Sequence, residues 1–102
     1  MEALRQSGRD QNTVVIFTSD NGELQGAHGL TGKWLMYEES IRVPLIVRDP
    51  RLPPSLRGRR CDEMALSIDL APTMLGLAGV AIPAAMQGRD LGPLVRGERV
   101  AW

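Results

Sequence analysis

With 102 residues, 43% of them hydrophobic and 24% charged, the chain has the make-up of globular protein and room for at most one ordinary domain, which excludes a disordered or low-complexity reading. Twelve basic and twelve acidic residues cancel, so nothing electrostatic points to nucleic acid or an anionic membrane as partner. A single cysteine, Cys61, excludes an internal disulfide framework, and no apolar run approaches the ~20 residues needed to cross a bilayer.

In chain order, Glu2 to Ser7 reads as the last turns of a helix with Gly8 as a left-handed cap. A helix this short is marginal alone, so the expectation is that more chain lies upstream. The opening residues lack the basic and apolar blocks of a signal peptide, and the compartment stays open. Arg9 to Asn12 is a polar turn into a strand over residues 13–19. Val14, Val15, Ile16 and Phe17 are consecutive rather than alternating, which predicts a strand covered on both faces in a parallel sheet.

Residues 20–40 follow as a long loop punctuated by Gly22, Gly26, Gly29 and Gly32, and loops of that length inside domains are functional or disordered. Glu38, Glu39 and Arg42 within and after it have helix spacing for local ion pairs. A second apolar run spans Val43 to Arg48, where Pro44 belongs at a strand start or a sheet edge. Residues 49–60, rich in Pro, Arg and Gly, form a surface connection.

A helix is then predicted with Ser67 or Asp69 as cap, Pro72 in its first turn, an apolar set of Leu70, Met74, Leu75, Leu77 and Ala78, and Gly79 as the stop. Residues 80–86 are apolar and proline-bearing. Asp90 can cap a last turn through Leu91, Pro93, Leu94 and Val95, ended by Gly97. Two strands and two or three helical pieces are too few to cover a strand on both faces, so the chain reads as the end of a larger α/β fold, a mostly parallel sheet flanked by helices.

Chemistry in open α/β sheets gathers past the carboxyl ends of strands, where Asp20-Asn21-Gly22 stands. Asp20 and Asn21 offer hard oxygens suited to Ca²⁺ or Mg²⁺, and the same tripeptide forms tight turns readily. Two side chains cannot complete a calcium site, which takes roughly 6–8 oxygens. Lys33 has the compact charge that suits a sulfate or phosphate oxygen, or is a solvated surface lysine. A nucleotide-binding P-loop is excluded, because Ala27 stands where its first glycine is required and Trp34 follows the lysine. His28, the single histidine, can donate a proton, hydrogen-bond an anionic oxygen, or make a structural bond. Cys61 lies among Arg59, Arg60 and Asp62 and carries no assigned role.

Three segments taken together, Thr18-Ser-Asp-Asn-Gly-Glu23, Ala27-His-Gly-Leu-Thr-Gly-Lys33 and Tyr37-Glu-Glu-Ser-Ile-Arg-Val-Pro-Leu-Ile-Val47, resemble the type I sulfatases of the alkaline-phosphatase-like superfamily. Ser67-Ile-Asp-Leu-Ala-Pro-Thr-Met-Leu, Gly79-Val-Ala-Ile-Pro and Met86-Gln-Gly-Arg-Asp-Leu extend the resemblance over nearly the whole chain. It implies that Asp20 and Asn21 bind a divalent cation, usually calcium, and that Lys33 contacts the sulfate and the bridging ester oxygen. His28 matches a common loop histidine and is the lesser catalytic candidate.

The formylglycine nucleophile of that family arises in a Cys-x-Pro/Ser-x-Arg signature. Cys61 does not fit it, since Glu63 and Ala65 occupy the decisive positions. The resemblance is therefore to the C-terminal part of a catalytic domain, residues 1–102, with the nucleophile and further metal ligands in an N-terminal half. It implies hydrolysis of a sulfate ester, with a phosphonate or phosphate ester hydrolase of the same superfamily as the alternative. A non-catalytic remnant that pairs with the missing half, or with itself, is the reading outside enzymes.

Overall fold

A computed structural model describes residues 1–101. The chain divides into two units, one formed by Val15–Arg48 and the other by Met1–Val14 together with the residues from Asp49 onward.

The Val15–Arg48 unit is built on two strands, β1 (Val15–Thr18) and β2 (Leu45–Arg48). They pair antiparallel, with Val15 opposite Arg48, Ile16 opposite Val47, Phe17 opposite Ile46 and Thr18 opposite Leu45. This corrects two expectations. The described sheet has two strands and is antiparallel, not mostly parallel. Nor is β1 covered on both faces, since Phe17 is 60% exposed and its cross-strand partner Ile46 is 59% exposed. The physical reason is that an unbroken apolar run reports hydrophobicity on both faces without naming the partner or its direction. Residues 19–44 bring the chain back beside β1, so the neighbour it finds here runs the opposite way. Pro44 immediately precedes β2, where its missing N–H costs no ladder bond. The long connection is not structureless: it holds a 3-10 turn at Ala27–Gly29 and a one-turn helix α2 (Glu38–Ile41).

The other unit carries α1 (Glu2–Gln6), α3 (Leu70–Leu77) and α4 (Gly92–Val95), with 3-10 turns at Asp10–Asn12, Pro54–Leu56 and Ser67–Asp69. The stops read from sequence are where the helices end. After α3, Gly79 takes φ +71°, its N–H bonds Gly76 O at 3.1 Å and the Val80 N–H bonds Leu75 O at 2.9 Å. That double bond satisfies carbonyls the helix itself leaves open, and the same pair of bonds closes α1 at Gly8 and α4 at Gly97.

The start of α3 works differently from a simple cap. Ser67 makes no capping bond, and the Asp69 carboxylate turns away to accept from Leu66 N at 2.8 Å and Arg89 N at 2.8 Å. One helical turn on, the buried Thr73 hydroxyl donates to Asp69 O and accepts from Leu91 N at 2.8 Å. Asp69 and Thr73 thus bolt α3 to residues 89–91, and Leu91 is buried against them at 3% exposure. At the far end, Arg51 bonds both oxygens of the buried Asp49 carboxylate and donates from Nη1 to Leu77 O, the last carbonyl of α3. Asp90 stands one residue before the cap position of α4, which is Leu91, and instead of capping it closes the turn into the helix by accepting from Gly92 N at 2.7 Å. No helix among the described residues is long and apolar enough to cross a membrane.

Candidate active site at the carboxyl end of the first strand

Immediately past β1 the chain makes a turn built from its own polar side chains. Asn21 N donates to Asp20 Oδ1 at 2.9 Å, and Ser19 Oγ donates to Asn21 O at 2.8 Å. Gly22 then comes so close to α2 that a Cβ there would collide with the Glu39 carbonyl oxygen, while its N–H donates to Ser40 O at 2.8 Å. Only a glycine permits that approach. The residue that sequence analysis read as a sharp turn is also the point where the site loop is docked on α2.

The same turn aims Asn21. Its Nδ2 donates to Gly22 O at 2.8 Å, which leaves Oδ1 facing away from the backbone. Lys33 Nζ donates to that oxygen at 2.8 Å across twelve residues of chain. Lys33 is brought there because the intervening loop closes on itself: Leu24 N bonds Gly32 O at 2.8 Å, Gly26 N bonds Leu30 O at 2.9 Å, and Leu24 is buried at 3% exposure. Gln25 and His28 take positive φ of 46° and 54° inside this loop, a local strain that its cross-bonds hold in place. Asn21 and Lys33 are therefore in contact, with Asp20 next to Asn21 in the turn.

His28 belongs to a different cluster of the loop. Its ring stacks on Tyr37 with centroids 4.0 Å apart and planes 16° from parallel, and its Nε2 stands 3.4 Å from Glu39 Oε2. The expected helix pairing of Glu38 with Arg42 forms at 3.5 Å, whereas Glu39 turns to the histidine instead. Sequence reasoning missed this trio, because residues eleven apart across an irregular loop leave no periodic trace. It also missed Ser40, whose buried hydroxyl has no hydrogen-bond partner among the described residues. Cys61 is an exposed free thiol.

Chemically, the turn presents a carboxylate, an amide oxygen and an ammonium, a set that suits a hard cation together with an anion. The Asn21 amide oxygen has a second lone pair beyond the one that accepts from Lys33, and a cation there would share the oxygen with the ammonium. Among the described residues no cluster of three or more His, Cys, Asp or Glu comes together, so Asp20 and Asn21 by themselves do not make a metal shell.

Residues 26–102 match the family model for N-sulphoglucosamine sulphohydrolase, C-terminal. The chain is 39% identical over 95 residues to the N-acetylglucosamine-6-O-sulfatase of Bacteroides thetaiotaomicron, covering 93% of this chain and 17% of that protein. It is 41% identical over 95 residues to arylsulfatase K of Xenopus laevis, again covering 93% and 17%. Among solved structures, BT4656 in complex with its substrate D-glucosamine-2-N,6-O-disulfate gives a TM-score of 0.86 at 38% identity, over 95% of this chain and 19% of that one. The phosphonate monoester hydrolase of Silicibacter pomeroyi gives a TM-score of 0.90 at 35% identity, over 98% and 19%. The chain thus spans less than a fifth of the length of each of these relatives.

Proposed function

The chain belongs to the sulfatase family, and we propose that it is the C-terminal portion of a catalytic domain that hydrolyses sulfate esters, a piece of the alkaline-phosphatase-like fold. The observation that carries this reading is the contact between Lys33 Nζ and Asn21 Oδ1 at the end of β1. It gathers an anion-binding ammonium and a cation-binding oxygen at one turn.

In this reading Asp20 and Asn21 contribute two oxygens to a divalent cation, Ca²⁺ by preference and Mg²⁺ as the smaller candidate. The bound cation supplies positive charge that offsets the charge of the sulfate and its attacking group. Lys33 does the rest of the work assigned to this chain. Its ammonium holds the sulfate and lies where charge grows on the departing alcohol oxygen, stabilising that oxygen without needing to transfer a proton. The grip of Asn21 on Lys33 keeps that ammonium from swinging into solvent. His28, held between Tyr37 and Glu39, is the second group of the loop able to offer a proton or a hydrogen bond to an anionic oxygen. The substrates named for two of the relatives, N-acetylglucosamine-6-O-sulfate chemistry and a disulfated glucosamine, support a sulfated amino sugar as the ester. The nucleophile lies outside these residues, since the exposed Cys61 lacks the signature that would convert it.

A phosphonate monoester hydrolase is the second reading, favoured by the structural match to the Silicibacter pomeroyi enzyme. The two separate on matched substrates. A longer form that includes the reading frame upstream is expected to turn over glucosamine 6-sulfate faster than the corresponding phosphonate monoester. Lys33→Ala is expected to lower kcat on the sulfate by about 10²–10³-fold, the scale seen when one charge-stabilising donor is removed. Faster turnover of the phosphonate, or full activity in Lys33→Ala, would overturn the sulfatase reading.

A further inference from the structure

Lys33 is followed at once by Trp34, which is 89% exposed and has no ring partner among the described residues, while the other aromatic of this loop, Tyr37, stacks on His28. We propose that Trp34 is a substrate-binding residue that stacks on the pyranose ring of the alcohol half of the sulfate ester, so that Gly32-Lys33-Trp34 reads both ends of the substrate. This deepens, and rests on, the sulfatase reading above.

The placement follows from three observations. First, Lys33 is tied to Asn21, so the sulfate end of the substrate is located at that ammonium. Consecutive Cα atoms are about 3.8 Å apart, so the indole is rooted one residue from the group that marks the bridging oxygen. The alcohol half of the ester begins at that oxygen. Second, the indole lies on the side of Gly32, which has φ +86°: a Cβ built on that glycine would stand 3.5 Å from Trp34 Cδ1 and 3.8 Å from Nε1. The carbonyl of that glycine is in turn bonded by Leu24 N, which anchors this part of the loop to the buried Leu24. Third, the ring is still nearly all open, which leaves its face available.

The chemistry selects the occupant. An aromatic face carries negative quadrupole charge, and the partly positive C–H hydrogens on one face of a sugar ring can lie flat against it. A flat aryl group could stack as well, so the pyranose and the aryl ester are separated by experiment.

The test is a titration, in calcium-containing buffer, of the ¹⁵N-labelled longer form that includes the reading frame upstream, its signature cysteine left unconverted so that the ester is not consumed, with the Trp34 indole N–H signal identified as the one lost in Trp34→Phe. Glucosamine 6-sulfate is expected to move the Trp34 indole signal and the Lys33 and Asn21 signals together and saturably. Inorganic sulfate is expected to move Lys33 and Asn21 alone. Trp34→Ala is expected to raise the Kd for glucosamine 6-sulfate about three- to tenfold and leave that for inorganic sulfate unchanged. If Lys33 and Asn21 respond while the Trp34 signal stays still, the stacking proposal fails and the sulfatase reading stands. If phenyl sulfate moves the Trp34 signal and glucosamine 6-sulfate does not, the pyranose assignment is overturned. If no signal responds to any of the three, the proposal falls together with the reading beneath it.

Discussion

At the scale of single residues, the chain separates polar groups that hold the fold from those available for chemistry. Asp49 belongs to the first kind. The Arg51 side chain, bonded to both its oxygens, holds its carboxyl below the ordinary 3.8, against a smaller opposing effect of burial. The sign of the consequence follows directly. A carboxylate with a depressed folded-state pKa stabilises fully above its unfolded value and loses that stabilisation as pH falls through the folded one. Arg51 is pushed upward and stays charged throughout, so it adds no pH dependence of its own in this range. The expected outcome is a melting temperature that is level from pH 7 to about 4.5 and falls below about 4. In Asp49→Asn the melt starts lower at neutral pH, and the gap to the unaltered chain narrows on acidification. Thermal melts of both proteins across that range check it, and a gap of constant size would refute it. Asn21 and Lys33 are of the second kind: exposed or half-buried, in contact with each other, and not used to bury any core.

At the scale of elements, the decisive feature is how tightly the loop after β1 is set on α2. The Gly22 N–H to Ser40 O bond and the absence of a side chain at 22 determine where Asn21 points. Gly22→Ala places a methyl group into the Glu39 carbonyl, and relief requires the turn or α2 to shift. The expected cost is about 1–3 kcal/mol of stability, the range for forcing an extra methyl group into a filled space. Loss of the Lys33 to Asn21 contact should accompany it, visible as displaced Asn21 side-chain amide signals. A variant with unchanged melting temperature and unchanged Asn21 signals would show that the turn is not set by this approach. The contrast with α3 is instructive. There the polar residues Asp69 and Thr73 bridge to residues 89–91, so a sequence that reads as an apolar helix with a cap is held by a buried polar network.

At the scale of the molecule, the described residues bury few large side chains. The buried hydrophobics are Leu24 and Leu91, one in each unit, while Phe17, Ile46, Trp34 and Met36 are open to solvent. A cross-strand pair such as Phe17 and Ile46 on an uncovered sheet face is what a sheet looks like when its covering layer comes from other chain. This accords with the proposal that the 102 residues are the C-terminal portion of a larger catalytic domain. The purified chain alone is therefore expected to show little or no sulfatase activity and to self-associate at micromolar concentration. Activity on 4-nitrophenyl sulfate and light scattering measure the two. Turnover that disappears in Lys33→Ala, from a monodisperse monomer with a cooperative melt, would contradict the proposal.

What the amino-acid sequence determined by itself is local. The helix ends at Gly8, Gly79 and Gly97 and the turn at Asp20-Asn21-Gly22 depend on backbone conformations that particular residues favour. So does the start of β2 after Pro44. The ordered run of motifs also carried the family, because side-chain chemistry at set spacing is written directly in the chain. Tertiary structure alone decided the direction of the strand pairing, which face of β1 is covered, the His28–Tyr37–Glu39 cluster and the meeting of Lys33 with Asn21. Those depend on contacts between residues 9 to 33 apart, and hydrophobic periodicity registers how apolar a face is while staying silent on what will lie against it.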